Sequence, residues 1–178
     1  MSGHNKWSQI KHKKDITDAK KSKIFSKLVR FISVEAKLSG GKDSPGLRSA
    51  IEKAKKVNMP KDIIEKAVRK ASEPSAQMYN ITYEAYGPGG VGIIIETLTD
   101  SKNRTAQDVK HILVKNTFAL AGIGSVTWSF VKEKTTEGLI WKPTTTIPLS
   151  EEDLVLLEKI VDELEEHDDV QDVYINAE

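Results

Sequence analysis

The stretch that decides the fold is Val91-Gly-Ile-Ile-Ile-Glu-Thr-Leu98, in which β-branched residues follow one another almost without a break. A short apolar run of this kind, bounded by turn residues, predicts a strand at the centre of a sheet. Gly87-Pro-Gly-Gly90 directly before it predicts a turn, and the partly alternating Tyr79–Tyr86 predicts a neighbouring strand. A polar loop, Asp100–Arg104, follows and leads into a helix predicted from about Thr105 to Lys115.

The rest of the C-terminal half continues this alternation of strands and helices. Strands are predicted over 125–132, 139–142, 144–149 and 170–175, and a helix starts at the capping box Ser150-Glu-Glu-Asp153 and runs to about Glu166. Without the short segment 139–142, the order from Val91 is strand, helix, strand, strand, helix, strand, which is the split β-α-β order of ferredoxin-like folds. We therefore expect an acidic ferredoxin-like domain over residues 77–178.

The N-terminal half shows helical periodicity instead. Apolar residues at helical spacing predict one helix from about Thr17 to Leu38, a second from Ser44 to Val57 and a third after Pro60. Three helices with short links form a small bundle in which each helix buries one face. Residues 1–14 lack this period and are predicted to form a basic arm. The expected fold class is α+β, with the arm and a three-helix bundle in residues 1–76, followed by the ferredoxin-like domain.

The formal net charge of +1 hides a strong asymmetry between the two halves. Residues 1–75 carry 19 Lys or Arg and 8 Asp or Glu, whereas residues 76–178 carry 8 and 18. Such a separation predicts that the basic half faces a polyanion. The acidic half would be repelled by the same polyanion and would therefore orient the molecule.

Basic residues are densest in the arm and in the first helix, where residues 1–30 contain nine Lys or Arg and two acids. A run of lysines on an arm and one helix face can follow the phosphates of a nucleic acid, in a salt-dependent and largely sequence-blind way. Trp7 adds a ring that can stack on an unpaired base, and His4 and His12 can donate to phosphate. The candidate contacts are Lys6, Lys11, Lys13, Lys14, Lys20, Lys21, Lys23, Lys27 and Arg30.

Two other interpretations of this stretch were weighed. It can be a solvated lysine-rich surface with Trp7 packed back on the bundle. An acidic membrane surface is a poorer partner, because the arm lacks the apolar face that membrane binding requires. In the acidic half, Lys102 and Arg104 are a basic pair that can touch a phosphate, and a capped surface loop explains them equally well.

The sequence gives no sign of a cofactor, a metal site or an active site. The chain has no Cys, and its four His have no partners at metal-ligand spacing. The turn at Gly87–Gly90 precedes a strand rather than a helix, unlike a phosphate-binding loop. The acidic run Glu163–Asp169 lacks the pattern of a calcium loop. We expect a protein that is not an enzyme, although a catalytic pair of carboxylates stays open.

The sequence also bears on location. The basic N-terminus has no apolar run behind it, as a signal peptide would, and no window approaches the length of a membrane span. Together with the absence of Cys, this predicts a cytoplasmic protein without a membrane partner.

Several motifs along the chain resemble those of the YebC/PmpR family, which includes the mitochondrial translational activator of cytochrome c oxidase subunit one. They are Gly3-His-Asn-Lys-Trp7, Asn58-Met-Pro-Lys-Asp62, Tyr83-Glu-Ala-Tyr-Gly-Pro-Gly-Gly90, Leu98-Thr-Asp100 with Asn103-Arg-Thr105, Gly124-Ser-Val126 and Asp168-Asp-Val-Gln-Asp-Val-Tyr174. The resemblance implies a non-enzymatic regulator of gene expression. It implies either a DNA-binding transcriptional regulator or a translation factor that acts on ribosomal RNA at the ribosome.

The chain departs from that family in one respect. Family members are usually longer, with a third domain inserted between the segments that match Lys132 and Pro143. Here about ten residues bridge this gap, so we expect the second domain to be shortened at about 133–143. The target, the direction of regulation and the oligomeric state stay open at this point.

Overall fold

The computed structural model describes residues 18–70, 77–135 and 138–178, without the side chains of residues 18–20 and 70. The structure contains both helices and antiparallel strands, which confirms the predicted α+β fold class. The described residues form two compact units. The helical unit holds residues 18–70, the two residues 77 and 78, and Glu133–Ile140, and the sheet unit holds Tyr79–Lys132 and Trp141–Glu178. The predicted domain boundary at 76/77 borders residues that are not described, and it stays a prediction.

Three helices make up most of the helical unit: α1 (Asp18–Leu38), α2 (Pro45–Lys56) and α3 (Lys61–Lys70). Helix α1 ends where Gly40 and Gly41 take positive φ angles, and the N–H of Gly41 donates to the carbonyl of Ala36 at 2.8 Å. Ser44 caps α2 by accepting from the N–H of Leu47 at 3.1 Å. The buried core, which the three helices share, consists of Ile32, Ala36, Leu47, Ala50, Ala54, Met59, Ile64 and Ala67.

The sheet unit contains helices α4 (Lys102–Lys115) and α5 (Glu151–Glu165). The chain's strands are β1 (Tyr79–Tyr86), β2 (Gly92–Thr99), β3 (Phe130–Thr135), β4 (Gly138–Pro143) and β5 (Val170–Ile175). Strands β1, β2 and β5 form an antiparallel sheet in that order, and β3 and β4 pair as a separate hairpin. The predicted central strand is therefore central, with a turn at Pro88–Gly90 before it.

Both faces of β2 are buried. Ile93 and Ile95 lie in one core with α4 and α5, where Val109 and Leu157 are fully buried. Ile94 points to the opposite face and packs against Val126 and Phe130. The first core fixes the two helices on the sheet, and the second fixes the segment that leads into β3.

Two predicted strands are formed differently. The strand predicted from Ser125 begins only at Phe130, because the N–H groups of Val126 and Thr127 donate to the Glu84 carboxylate at 2.6 and 2.9 Å instead of to a strand. The strand predicted over 144–149 is reduced to a single parallel bridge between Ile147 and Ala177. The following Pro148 has no N–H, so the pairing cannot continue through it.

These two differences change the sheet. The described sheet has three strands, with single bridges at its margins, in place of a complete ferredoxin-like sheet. The strand–helix and helix–strand pairs that begin and end the predicted order, β2–α4 and α5–β5, are both present.

We predict that Gly92→Ala destabilises the sheet unit. A Cβ atom at this buried position would lie 2.6 Å from Cγ1 of Val126 and would push the second core away from β2. Overpacking of this kind costs about 1–3 kcal/mol, which urea unfolding of the full chain measures. Gly122→Ala is the matched control, because its Cβ meets only Oγ of Ser125 at 3.4 Å. Equal unfolding midpoints for the two variants would show that β2 does not depend on this close contact.

Candidate nucleic-acid interface

Four of the predicted contact residues lie along one face of α1. Positions 20, 23, 27 and 30 are three or four residues apart, so they are neighbours on a helix surface. The buried side chains of α1, Ile32 and Ala36, lie on the opposite face by the same spacing. Lys23 is exposed, and Lys27 and Arg30 are partly exposed. The result is a cationic stripe on the side of α1 away from the core, which we call the α1 basic face.

Lys21 stands apart from this stripe. Its Nζ lies 6.0 Å from the ring centroid of Phe25. The two residues line a shallow open cleft together with Ser22, Ser26 and Val29. Lys21 is therefore exposed to solvent but also contacts an apolar side chain. It lies beside the α1 basic face and is not part of it.

The remaining candidates of the N-terminal arm cannot be placed. Lys6, Trp7, Lys11, His12, Lys13 and Lys14, as well as His4, lie outside the described residues, and for Lys20 only the helical backbone position is described. Their role in binding stays a prediction.

The basic character of the helical unit does not depend on the arm. Residues 18–70 carry 15 Lys or Arg and 6 Asp or Glu. Several of these cations lie outside residues 1–30, where the density of lysines in the sequence is highest. The last turn of α2 carries three of them, Lys53, Lys55 and Lys56. A count over each helix separately would have found this second cluster.

Lys102 and Arg104 lie in the first turn of α4, in the sheet unit. The Nζ of Lys102 stands 4.1 Å from the ring centroid of Tyr79. Arg104 donates to Asp100 and to Asp169, each at 2.8 Å. The hydrogen bond to Asp169, followed by that to Asp100, raises the pKa of the guanidinium above its ordinary value. Arg104 is thus held by two carboxylates, and its contact with phosphate stays a prediction.

Asp169 is the centre of a buried polar cluster at this end of the sheet unit. Only 2% of the residue is exposed, and its Oδ2 lies 2.7 Å from the Thr105 hydroxyl and 3.1 Å from the Thr99 hydroxyl. Its backbone N–H donates to Nδ1 of His167 at 3.1 Å. Buried carboxylates are tolerated when hydrogen bonds satisfy them, so this cluster ties β2, α4 and the start of β5 together.

A second buried carboxylate, Glu84 on β1, was not singled out from the sequence. It accepts the backbone N–H groups of Gly124, Val126 and Thr127 at 2.7, 2.6 and 2.9 Å. Burial alone raises the pKa of Glu84, but these hydrogen bonds outweigh it and hold the pKa below its ordinary value. The ionised Glu84 thereby fixes the segment Gly122–Ser129, which we call the Glu84 loop.

The Glu84 loop carries large apolar side chains into solvent. Ile123 is fully exposed and Trp128 is 71% exposed, while the adjacent Tyr86 of β1 is 44% exposed. The Tyr86 hydroxyl and Nε1 of Trp128 both donate to the carbonyl oxygen of Ser125. The polar groups of the two side chains therefore share one acceptor, which brings the two rings close to the same backbone carbonyl. The only local pattern in this part of the sequence is an alternation that predicts a strand, and it does not indicate this arrangement.

Within the described part of the chain, no three His, Cys, Asp or Glu side chains are grouped so that they could hold a metal ion. None of its helices combines the length and the apolar character needed to cross a membrane.

Comparison with known proteins gives matches along nearly the whole chain. Residues 5–74 match the family model described as the TACO1/YebC protein N-terminal domain. Residues 78–137 and 131–177 match the model described as the TACO1/YebC second and third domain. The two segments of the second match meet where the sequence predicts the shortening, which stays a prediction.

Curated relatives carry the name "Probable transcriptional regulatory protein". The relative from Petrotoga mobilis is 45% identical over 174 residues, which cover 95% of this chain and 68% of the relative. The relative from Fervidobacterium nodosum is 38% identical over 235 aligned positions, with 99% of this chain and 93% of the relative covered. The crystal structure of a conserved hypothetical protein from Aquifex aeolicus is 32% identical, with a TM-score of 0.81 and coverage of 97% and 96%.

We predict that Thr105→Val destabilises the sheet unit by about 1–3 kcal/mol, because Asp169 stays buried but loses one of its hydrogen-bond donors. The free energy of unfolding in urea measures this effect. Thr145→Val is the matched control at an exposed position. If the two substitutions cost the same, the Asp169 cluster does not stabilise the unit.

Proposed function

This chain belongs to the TACO1/YebC family, and from that premise we propose that it regulates gene expression by binding nucleic acid through the α1 basic face. Its curated relatives are named as probable transcriptional regulatory proteins. We further propose that it acts by occupying a site on the nucleic acid and that it catalyses no reaction. A chain without Cys suits a reducing compartment, and the cytoplasm is the location that we propose.

The observation that carries this proposal is the spacing of the cations on α1. Lys23, Lys27 and Arg30 form a row on the face away from the core, within a helical unit that has an excess of basic residues. Lysine and arginine in a row supply contacts to successive phosphates, which position a protein on a nucleic acid without reading its sequence. The bound state releases counterions, so affinity should fall steeply with salt.

The acidic end of the sheet unit supports a defined orientation on the nucleic acid. Residues 150–178 contain twelve Asp or Glu and one Lys. Helix α5 carries Glu151, Glu152 and Asp153 in its first turn, beside the partial positive charge of the helix end. Phosphates repel such a surface, so we expect the contacts with phosphate on the helical unit and not on residues 150–178.

The target that we propose first is duplex DNA, because the curated relatives are named as transcriptional regulators. A translation role on folded or ribosomal RNA, including at the ribosome, is the second candidate. It is favoured by the exposed rings of Trp128 and Tyr86, because RNA recognition commonly uses aromatic side chains and unpaired bases.

We predict that replacing Lys23, Lys27 and Arg30 together by Ala lowers the salt dependence of nucleic-acid binding by about three units in the slope of log affinity against log salt. Fluorescence anisotropy with a labelled duplex at four or more salt concentrations gives this slope. In the control variant, three Lys of the sheet unit are replaced by Ala, and the slope of log affinity against log salt should stay nearly unchanged. These residues are Lys110, Lys142 and Lys159.

The same titrations decide between the two targets when a DNA duplex and an RNA hairpin of equal charge are compared. Tighter binding to the duplex supports the transcriptional role, and tighter binding to the hairpin supports the translational one. A triple α1 variant that keeps the wild-type slope on both ligands would contradict the proposed function.

A further inference from the structure

The Glu84 loop lies in a stretch of unusual composition. Between Lys115 and Lys132 there is no charged residue, although 30% of the whole chain is charged. Depletion of charge together with exposed Trp and Tyr is typical of the centre of a recognition surface. The exposed side chains in this stretch therefore call for a functional explanation.

The core does not explain them. Val126 and Phe130 are the side chains of this segment that pack against Ile94, and they are buried. Trp128 and Ile123 point away and remain in solvent. Packing of the sheet therefore does not account for the outward position of these two side chains.

The surface is also fixed in advance of any partner. Glu84 holds the backbone by three hydrogen bonds, and Gly124 takes the positive φ angle of +86° that lets the loop turn back on itself. The polar atoms of both rings are already bonded to the carbonyl of Ser125. A partner would therefore contact the faces of the two rings rather than their polar atoms. Because this surface is already ordered, it loses little conformational entropy on binding.

We propose that Tyr86, Ile123 and Trp128 form a stacking site for an unpaired base of a single-stranded nucleic acid. Every base has a flat π face that stacks on Trp or Tyr without regard to sequence. The fully exposed Ile123 of the same loop would add an apolar contact to the stacked base. The inference rests on the proposed function, and it adds the sheet unit as a second point of contact.

The charges of the surrounding segment permit this occupant. Residues 76–149 contain seven Lys or Arg and six Asp or Glu, one of which is the buried Glu84. The acidic excess of the C-terminal half comes from residues 150–178. The uncharged stretch is bounded in the sequence by Lys115, whose Nζ is paired with Glu163 at 3.3 Å, and by Lys132, so no acidic residue of the stretch itself would repel the phosphates next to a stacked base.

The test uses the fluorescence of Trp128 in the full chain. The chain has three Trp, and Trp7→Phe with Trp141→Phe leaves Trp128 as the single emitter while keeping an aromatic ring at both other positions. A mixed-sequence RNA 12-mer is titrated as a single strand and as a blunt duplex. We expect the single strand to quench Trp128 and to shield it from acrylamide, and the duplex to do neither.

Affinity measurements complete the test. In the wild-type background, Trp128→Ala should weaken binding of the single strand by about 5- to 150-fold and leave duplex binding unchanged. Trp128→Phe should restore most of the loss. Val155→Ala, at another exposed apolar position on α5, is the matched control and should change neither affinity. Equal urea midpoints for all variants exclude a loss of folding.

The outcomes separate this inference from the proposed function. If Trp128→Ala leaves single-strand affinity unchanged while the α1 triple variant lowers it, the stacking site is wrong and the proposed function stands. If the wild-type chain binds neither form of the RNA 12-mer, the stacking site is wrong, and the titration of the DNA duplex with the α1 triple variant decides the proposed function separately. An emission that responds to protein concentration but not to the 12-mer would assign the surface to contact between copies of the chain and would overturn the inference.

Discussion

Burial of β2 on both faces requires that two separate layers are held against one strand. Helices α4 and α5 form one layer and meet Ile93 and Ile95. The other layer is a loop, which has no hydrogen-bond ladder of its own, and Glu84 supplies the missing acceptors from the neighbouring strand. The loop places Val126 in the core, next to Phe130 at the start of β3, and it leaves Ile123 and Trp128 exposed. The same segment therefore closes the core on one side and carries the proposed stacking site on the other.

Charge separation has a similar double role in the whole chain. The helical unit concentrates Lys and Arg on the outer face of α1, whereas residues 150–178 concentrate Asp and Glu. Buried carboxylates in the sheet unit are satisfied locally, by backbone N–H groups at Glu84 and by hydroxyls and Arg104 at Asp169. The buried carboxylates are thus committed to the fold, whereas the charges of α1 and of residues 150–178 are the ones that we expect to respond to a polyanion.

The parts of the fold that the sequence predicted well are those with a strong local period. The run at Val91–Leu98 and the helical spacing of α1 each determine an element from adjacent residues alone. An alternation is also present at Val126, Trp128 and Phe130, but the strand that it predicts is wrong before Phe130. There the backbone N–H groups donate to Glu84, some 40 residues earlier in the chain. No local pattern reports such a pairing.

The candidate site was predictable to the same extent. The stripe on α1 follows from spacing, and the structure places Lys23, Lys27 and Arg30 on one face. Arg104 was chosen for its charge, whereas its partner Asp169 lies 65 residues away and could not be inferred. The exposure of Trp128 likewise depends on the loop conformation and not on its immediate neighbours in the sequence.

Ultraviolet crosslinking in cells, followed by sequencing of the attached nucleic acid and identification of the crosslinked peptides, tests whether α1 contacts nucleic acid. If it does, we expect crosslinked peptides from residues 20–30 and an attached population of DNA or RNA that falls when Lys23, Lys27 and Arg30 are replaced. Crosslinks confined to residues 150–178, or a purified chain that carries no nucleic acid, would contradict this expectation.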